Sequence, residues 1–190
     1  TGFNSAGNDQ MIEIGAVEIQ NGEIIDRFDE LINPGRHIPD KITELTCITD
    51  EMVITNMVNS SLARIHLASV LEKLSPSQME LVKEATDLYK ENRNIRKSGL
   101  PVFPNGTSFF YDDSCCVGLV NSKEMWLAVW CTSKEAKDVI VDLSKYNPLE
   151  VSVLYPKKVE TKYSFDKSSN KLVFSPKERY SARLFKVLLK

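Results

Sequence analysis

The sequence predicts an α+β fold made of an N-terminal β-hairpin, two helices and an antiparallel β-sandwich of about eight strands. Three observations support this prediction. An Asn-Gly pair separates two apolar runs near the N-terminus, a capped helical pattern follows, and from Ser108 the apolar residues alternate with a period of two. Many short strands with little helix between them are typical of an antiparallel sandwich.

The hairpin is the first predicted element. Met11–Ile19 is rich in isoleucine and valine, Asn21-Gly22 supplies the positive-φ positions of a type I′ turn, and Glu23–Ile32 forms the returning strand. Residues 39–53 are predicted to form a loop with one short helix that begins at Asp40.

Two helices are predicted next. The first rests on the helical spacing of apolar residues over 54–73. The second has Ser75 as its N-cap, Pro76 at its first position and Gln78 completing a capping box. Ser98-Gly99 is predicted to end it.

Eight short runs bounded by turn residues form the predicted sandwich. They are Ser108–Asp112, Cys115–Val120, Met125–Cys131, Val139–Leu143, Val151–Tyr155, Lys162–Phe165, Lys171–Phe174 and Arg183–Leu189. The third run is apolar on both faces, with Trp126 and Trp130 on one face and Met125 on the other. It is therefore the predicted central strand.

Charge divides the chain near residue 54. Residues 1–53 contain eleven acidic and three basic residues, a net charge of −8, which leaves +6 for residues 54–190. This asymmetry favours two blocks of separate origin, and uneven charge within one domain is the alternative. We predict three segments: residues 1–53, a helical linker over 54–106, and a β-sandwich domain over 107–190.

Composition indicates a soluble chain without a metal centre. The four cysteines show no metal-type spacing and the two histidines lie far apart, so we predict no metal site and expect buried free thiols. No signal peptide or long apolar run occurs, so we expect a cytoplasmic protein with no membrane partner. The overall net charge of −2 gives no reason to expect a nucleic-acid partner.

Four separated segments near the N-terminus follow one another with recognisable spacing. They are Thr1-Gly2, Gln10–Val17, Phe28–Gly35 and Ile42–Val53. Together they closely resemble the start of a DEDDh-type 3′–5′ exonuclease, the family that includes the proofreading domain of Gram-positive type C DNA polymerase III.

This resemblance implies an RNase H-like fold, of which the hairpin would be a remnant, and two Mg²⁺ or Mn²⁺ ions held by acids. The family strand that ends Asp-x-Glu-x-Thr-Thr-Gly retains only Thr1 and Gly2, and the pattern stops after Val53, before the remaining acids and the histidine base. By resemblance, Thr1, Gly2 and Ile48 would contact the terminal nucleotide of a single strand. Alternatively, Ile48 packs the short helix. Cys47 replaces the usual family glycine, which weakens such a contact.

A second set of motifs covers the rest of the chain. The set comprises Asn59–His66, Leu74–Gln78, Leu81–Ala85, Tyr89–Arg93, Leu100–Gly106, Trp126–Trp130, Leu154–Pro156 and Ser181–Phe185. Residues 57–190 thereby resemble the C-terminal end of a glycoside hydrolase family 36-type α-galactosidase. The resemblance implies the last helices of a (β/α)₈ barrel followed by an accessory β-sandwich, and Ser181–Phe185 is its most specific run.

No catalytic residue is predicted in this second block. Family 36 enzymes are retaining glycosidases, and their two aspartates lie on upstream barrel strands that are absent here. Asp112-Asp113 are adjacent at a turn, whereas a retaining mechanism needs opposed carboxyl groups about 5 Å apart. Trp126 and Trp130 are predicted core residues, with a sugar-stacking platform as the alternative, and His66 is predicted to be structural.

The leading interpretation is a chimeric, catalytically incomplete chain whose main folded part is the accessory sandwich. A fragment of a metal-dependent DNA exonuclease and a carbohydrate-binding module are the alternatives. We expect no enzymatic activity and no cofactor, since Mg²⁺ or Mn²⁺ belongs to the complete exonuclease. A glycosidase barrel or a second copy is the expected partner. Residues 74–190 are expected to fold alone, whereas residues 1–53 alone are expected to stay largely unfolded.

Overall fold

The computed structural model describes residues 13–20, 23–31, 49–65, 67, 71, 74–109 and 111–190. The chain divides into two compact units. One consists of residues 1–47 and 67–79, and the other of residues 48–66 and 80–190. The hairpin belongs to the first unit, and both sheets of the sandwich belong to the second.

The hairpin consists of β1 (Glu13–Gln20) and β2 (Glu23–Leu31), which pair antiparallel. Gln20 lies opposite Glu23, so the register leaves two residues for the connecting turn, as the sequence predicts. The predicted turn residues themselves, Asn21-Gly22, lie outside the described residues.

Helix α1 (Asp50–Ser61) begins at Thr49, whose Oγ1 accepts the N–H of Met52 at 3.3 Å. Two acidic residues occupy its first turn, where the helix dipole favours negative charge. The sequence predicted this helix over 54–73, but the helix starts earlier and ends at Ser61. The short helix predicted at Asp40 lies outside the described residues.

Helices α2 (Pro76–Glu91) and α3 (Arg93–Ser98) follow. The predicted capping box is confirmed, because Ser75 Oγ accepts the N–H of Gln78 at 3.2 Å and Gln78 Oε1 accepts the N–H of Ser75 at 3.0 Å. The sequence predicted one helix here, but Asn92 interrupts it with a non-helical φ of −117°. Across the described ranges, no helix combines the length and apolar character needed to cross a membrane.

Eight strands form the sandwich. They are β3 (Leu100–Val102), β4 (Ser114–Val120), β5 (Glu124–Cys131), β6 (Val139–Asp142), β7 (Pro148–Tyr155), β8 (Tyr163–Asp166), β9 (Lys171–Phe174) and β10 (Ser181–Leu189). One sheet has the order β3-β4-β5-β10-β7 and the other β6-β9-β8, with antiparallel pairing throughout. The predicted α+β class with an eight-stranded antiparallel sandwich is confirmed.

Strand β5 is buried on both faces, as predicted. Met125, Leu127 and Val129 are fully buried in the core between the two sheets. Trp126 and Trp130 point to the opposite face, on which α1 packs. The five-stranded sheet therefore lies between the smaller sheet and a helix.

One predicted strand is wrong and one real strand was missed. The described residues of Ser108–Asp112 do not form a strand, because the Asp112 carboxylate accepts the N–H of Phe109 at 2.7 Å. Such a side-chain bond competes with strand pairing despite the aromatic composition. Leu100–Val102, which the sequence analysis placed in a connecting segment, instead pairs with β4.

Candidate functional site

The predicted nucleotide-contact residues Thr1, Gly2 and Ile48 lie outside the described residues, as do Cys47 and His66. The structure therefore brings none of them into a described site. Among the described residues, the charged and polar side chains of interest lie instead where α1 packs on β10 and in a groove beside α2.

A buried ion pair attaches α1 to the sandwich. Arg183 Nη2 donates to Glu51 Oε2 at 3.0 Å and Arg183 Nη1 donates to Glu51 Oε1, which gives a bidentate contact. The two side chains are only 6% and 12% exposed. Arg183 Nε also donates to Thr161 Oγ1 at 2.9 Å, and the N–H of Ala182 donates to Glu51 Oε1 at 3.2 Å. We call Glu51, Arg183 and Thr161 the α1 anchor.

Further contacts extend along the same helix. Thr55 Oγ1 donates to the carbonyl of Tyr180 at 3.0 Å, and the indole Nε1 of Trp130 donates to Asn59 Oδ1 at 2.7 Å. The helix also buries four apolar side chains, those of Val53, Ile54, Met57 and Val58. Apolar burial thus supplies most of the stabilisation, while the polar contacts fix the orientation of the helix.

The α1 anchor was not predicted from the sequence. Glu51 falls in the acidic N-terminal block, and Arg183 was noted only as part of a family-like run. The two residues are 132 positions apart, so no local spacing relates them. The available signal was a single arginine within an apolar strand, since a buried guanidinium requires a partner.

A groove of about 380 Å³ runs between α2 and the end of β7. Glu80, Glu84 and Asp87 line its helical side, and Lys157 and Lys158 lie opposite. Lys158 Nζ bonds Glu80 Oε2 at 2.9 Å, and the backbone N–H of Lys157 donates to Glu84 Oε1 at 2.7 Å. The hydrogen bond from Lys158 lowers the pKa of Glu80. These carboxylates share one helix, so they do not form the opposed pair that glycoside hydrolysis requires.

The adjacent aspartates Asp112 and Asp113 have structural contacts. Asp112 closes the turn with Phe109, and its carbonyl accepts the hydroxyl of Thr132 at 2.6 Å. Asp113 Oδ2 pairs with Lys137 Nζ at 2.8 Å, and this hydrogen bond lowers the pKa of Asp113. The two carboxylates are adjacent in sequence and each makes a structural contact, so they do not form the opposed pair of a retaining mechanism.

The cysteines of the described residues are Cys115, Cys116 and Cys131, and all three are free thiols. Cys116 and Cys131 are buried. Burial raises the pKa of Cys116, which keeps it as an unreactive thiol. The expectation of buried free thiols is confirmed for these two positions.

The two metal ions implied by the exonuclease resemblance do not fit the residues described here. No group of three or more His, Cys, Asp or Glu side chains in the described part could hold a metal ion. Glu51, an acid within the exonuclease-like stretch, has both carboxylate oxygens bonded to Arg183.

In comparison with known proteins, residues 1–82 match the family model described as exonuclease. Among relatives, the DNA polymerase III PolC-type protein of Clostridium perfringens is 57% identical over 53 residues, which cover 28% of this chain and 4% of that protein. The PolC-type protein of Lactococcus lactis is 33% identical over 103 residues, covering 54% of this chain and 6% of the relative. The exonuclease resemblance is confirmed. The chain spans only a small part of these relatives.

A solved structure is similar to a larger part of the chain. It is an alpha-N-acetylgalactosaminidase-type protein from Bacillus halodurans, with a TM-score of 0.44 and 12% identity, covering 75% of this chain and 33% of that chain. The family match to residues 1–82 continues past Val53, and the predicted domain boundaries stay predictions.

Proposed function

We propose that this chain is catalytically incomplete and that its main folded part acts as the accessory C-terminal β-sandwich of an α-galactosidase-like glycoside hydrolase. One observation supports this proposal most directly. Ser181–Phe185, the run most specific to that resemblance, forms the start of β10 and is buried throughout, with Arg183 in the α1 anchor. Burial and the ion pair therefore explain the residues of this run without a catalytic role, as we expect for an accessory domain.

The partner in this proposal is a glycosidase barrel or a second copy of the chain. Accessory sandwiches act by packing, so the chain would stabilise a catalytic domain rather than bind substrate itself. In this proposal the chain would pack against such a partner in the cytoplasm.

Enzyme assays test the proposal. Purified full-length chain should not hydrolyse an aryl α-galactoside faster than a buffer blank. The matched control is a Glu80→Gln, Asp87→Asn variant, which removes two carboxylates of the groove beside α2. Turnover by the wild-type chain that this variant loses would show that the groove is catalytic and would refute the proposal.

Carbohydrate binding is a second candidate because one turn presents aromatic side chains. Phe109 is 79% exposed and Tyr111 is 91% exposed, and the turn is braced by Asp112. The sheet face with Trp126 is excluded as a platform, since that side chain is 1% exposed. Calorimetric titration with galactose tests this candidate. Binding tighter than millimolar, about −4 kcal/mol, that a Phe109→Ala, Tyr111→Ala variant loses would favour it over the structural role.

The exonuclease alternative depends on Thr1, Gly2 and Ile48. Those residues would position a terminal nucleotide, but the described residues contain no group of three or more His, Cys, Asp or Glu side chains that could hold the metals. We expect no Mn²⁺-dependent shortening of single-stranded DNA. Trimming from the 3′ end that a chelator abolishes would establish the alternative.

A further inference from the structure

Strand β6 lies at an edge of the three-stranded sheet and pairs only with β9 among the described strands. Val139 and Val141 are buried in the core, whereas Ile140 between them is 55% exposed. Backbone groups of alternate residues point to opposite sides of a strand. The polar groups of Ile140 and Asp142 therefore face away from β9, where an added strand would pair.

The side chain of Asn105 occupies this position. Its Nδ2 donates to the carbonyl of Ile140 at 2.7 Å, and its Oδ1 accepts the N–H of Asp142 at 3.0 Å. A carboxamide has the same donor and acceptor as a peptide group, so Asn105 makes the two bonds that a neighbouring strand would make at these residues.

The loop that holds Asn105 is itself fixed. The N–H of Gly106 donates to the carbonyl of Phe103 at 3.0 Å. Gly106 has a φ of +86°, which a residue with a side chain rarely adopts. The turn therefore holds the carboxamide against β6.

We propose that Asn105 closes the β6 edge against strand addition by a second copy of this chain. Exposed edges rich in β-branched residues are templates for such pairing, and proteins block them with proline, bulges or charges. The sequence Val-Ile-Val-Asp has no proline or lysine. By contrast, β3 contains Pro101, and β7 begins at Pro148 and pairs with β10 through two register shifts.

We propose a second copy of the chain as the partner of the β6 edge because β6 is complementary to itself in antiparallel pairing. Antiparallel pairing of two β6 strands about Val141 places Ile140 of each opposite Asp142 of the other. This arrangement keeps the two aspartates apart and covers the exposed isoleucines.

Sedimentation velocity of the full chain over a wide concentration range tests the proposal. Asn105→Ala should associate with a dimer dissociation constant at least about tenfold lower than that of the wild-type chain. Adding Ile140→Lys to Asn105→Ala should restore wild-type sedimentation, because a charge on the exposed edge disfavours pairing.

Asn121→Ala is the matched control. Asn121 Oδ1 also accepts two backbone N–H groups, those of Lys123 and Glu124, but within a turn. The Asn121→Ala variant should associate as the wild-type chain does. If Asn105→Ala does not fold, Asn105→Ser, which is too short to reach both groups, replaces it. Unchanged association of the folded Asn105 variant, or association that Ile140→Lys does not reverse, would overturn the proposal.

Discussion

Arg183 is 5% exposed although it is charged, and its neighbours along β10 are mostly apolar. A buried guanidinium without a partner would cost several kcal/mol, so Glu51 is a requirement of the fold. The sequence allowed us to predict that Trp126 is buried, because strand alternation is local. It did not identify Glu51 as the partner of Arg183, because that contact depends on how distant segments pack.

Tyr155 is a buried residue whose hydroxyl we expect to be removable without loss of stability. Its ring is fully buried, its hydroxyl has no hydrogen-bond partner among the described residues, and burial raises its pKa well above the usual range. Removing an unsatisfied buried hydroxyl is neutral or stabilising. Tyr155→Phe should therefore leave the free energy of unfolding unchanged or raise it by about 1 kcal/mol in urea denaturation. Tyr163→Phe is the control, because that hydroxyl donates to the Val151 carbonyl at 3.4 Å. A loss of stability in Tyr155→Phe would show that its hydroxyl has a partner.

Trp126 tests the assignment of the aromatic residues to the core. Trp126→Ala should reduce the free energy of unfolding by about 3–5 kcal/mol, because it leaves a cavity beneath the helix layer. Phe109→Ala, at a 79% exposed position, should change stability by no more than about 0.5 kcal/mol. Thermal or urea melts of both variants measure these changes in the free energy of unfolding. Equal losses of stability in the two variants would contradict the buried position of Trp126.

At the scale of elements, the boundaries that depend on local hydrogen bonds were predicted well from the sequence. The boundaries that depend on tertiary contacts were not. The start of α2 was predictable because Ser75 and Gln78 are three residues apart and bond each other. The interruption at Asn92 and the strand Leu100–Val102 were not, since β3 forms only by pairing with β4. The start of α1 was placed too late because Asp50 and Glu51 were assigned to the exonuclease-like block.

The β8–β9 turn should show a pH-dependent stability. Asp166 accepts hydrogen bonds from Ser168 and Ser169, chiefly the Ser169 hydroxyl at 2.6 Å, and these lower the pKa of Asp166 to about 2. The folded pKa lies below the unfolded value of about 3.9. The stabilisation is therefore complete above that value and is lost as the pH falls toward about 2.

An NMR titration of the Asp166 carboxyl carbon measures this effect. We expect a midpoint near 2 in the wild-type chain and a higher midpoint in Ser169→Ala. A wild-type midpoint near the unfolded value of about 3.9 would contradict the hydrogen-bonded turn.

At the scale of the whole chain, α1 connects the exonuclease-like stretch to the sandwich. It begins inside the residues that match the exonuclease model and packs on β10. From the sequence, residues 74–190 were predicted to fold alone. Without α1, however, Trp130 would lose its bond to Asn59 and Arg183 would lose its ion-pair partner. We now expect residues 48–190 to melt cooperatively and residues 74–190 not to. Equal cooperativity in calorimetry would mean that α1 is dispensable.

The most direct test of this account is a double-mutant cycle between Glu51 and Arg183 in the full chain. Each single change, Glu51→Met or Arg183→Met, should cost about 3–5 kcal/mol because it leaves the other charge buried and unpaired. The double variant should lose much less than the sum, which gives a coupling energy of at least about 2 kcal/mol. Urea denaturation measures all four proteins. Additive losses within about 0.5 kcal/mol would mean that the two residues do not interact, and that this ion pair does not hold α1 on the sandwich.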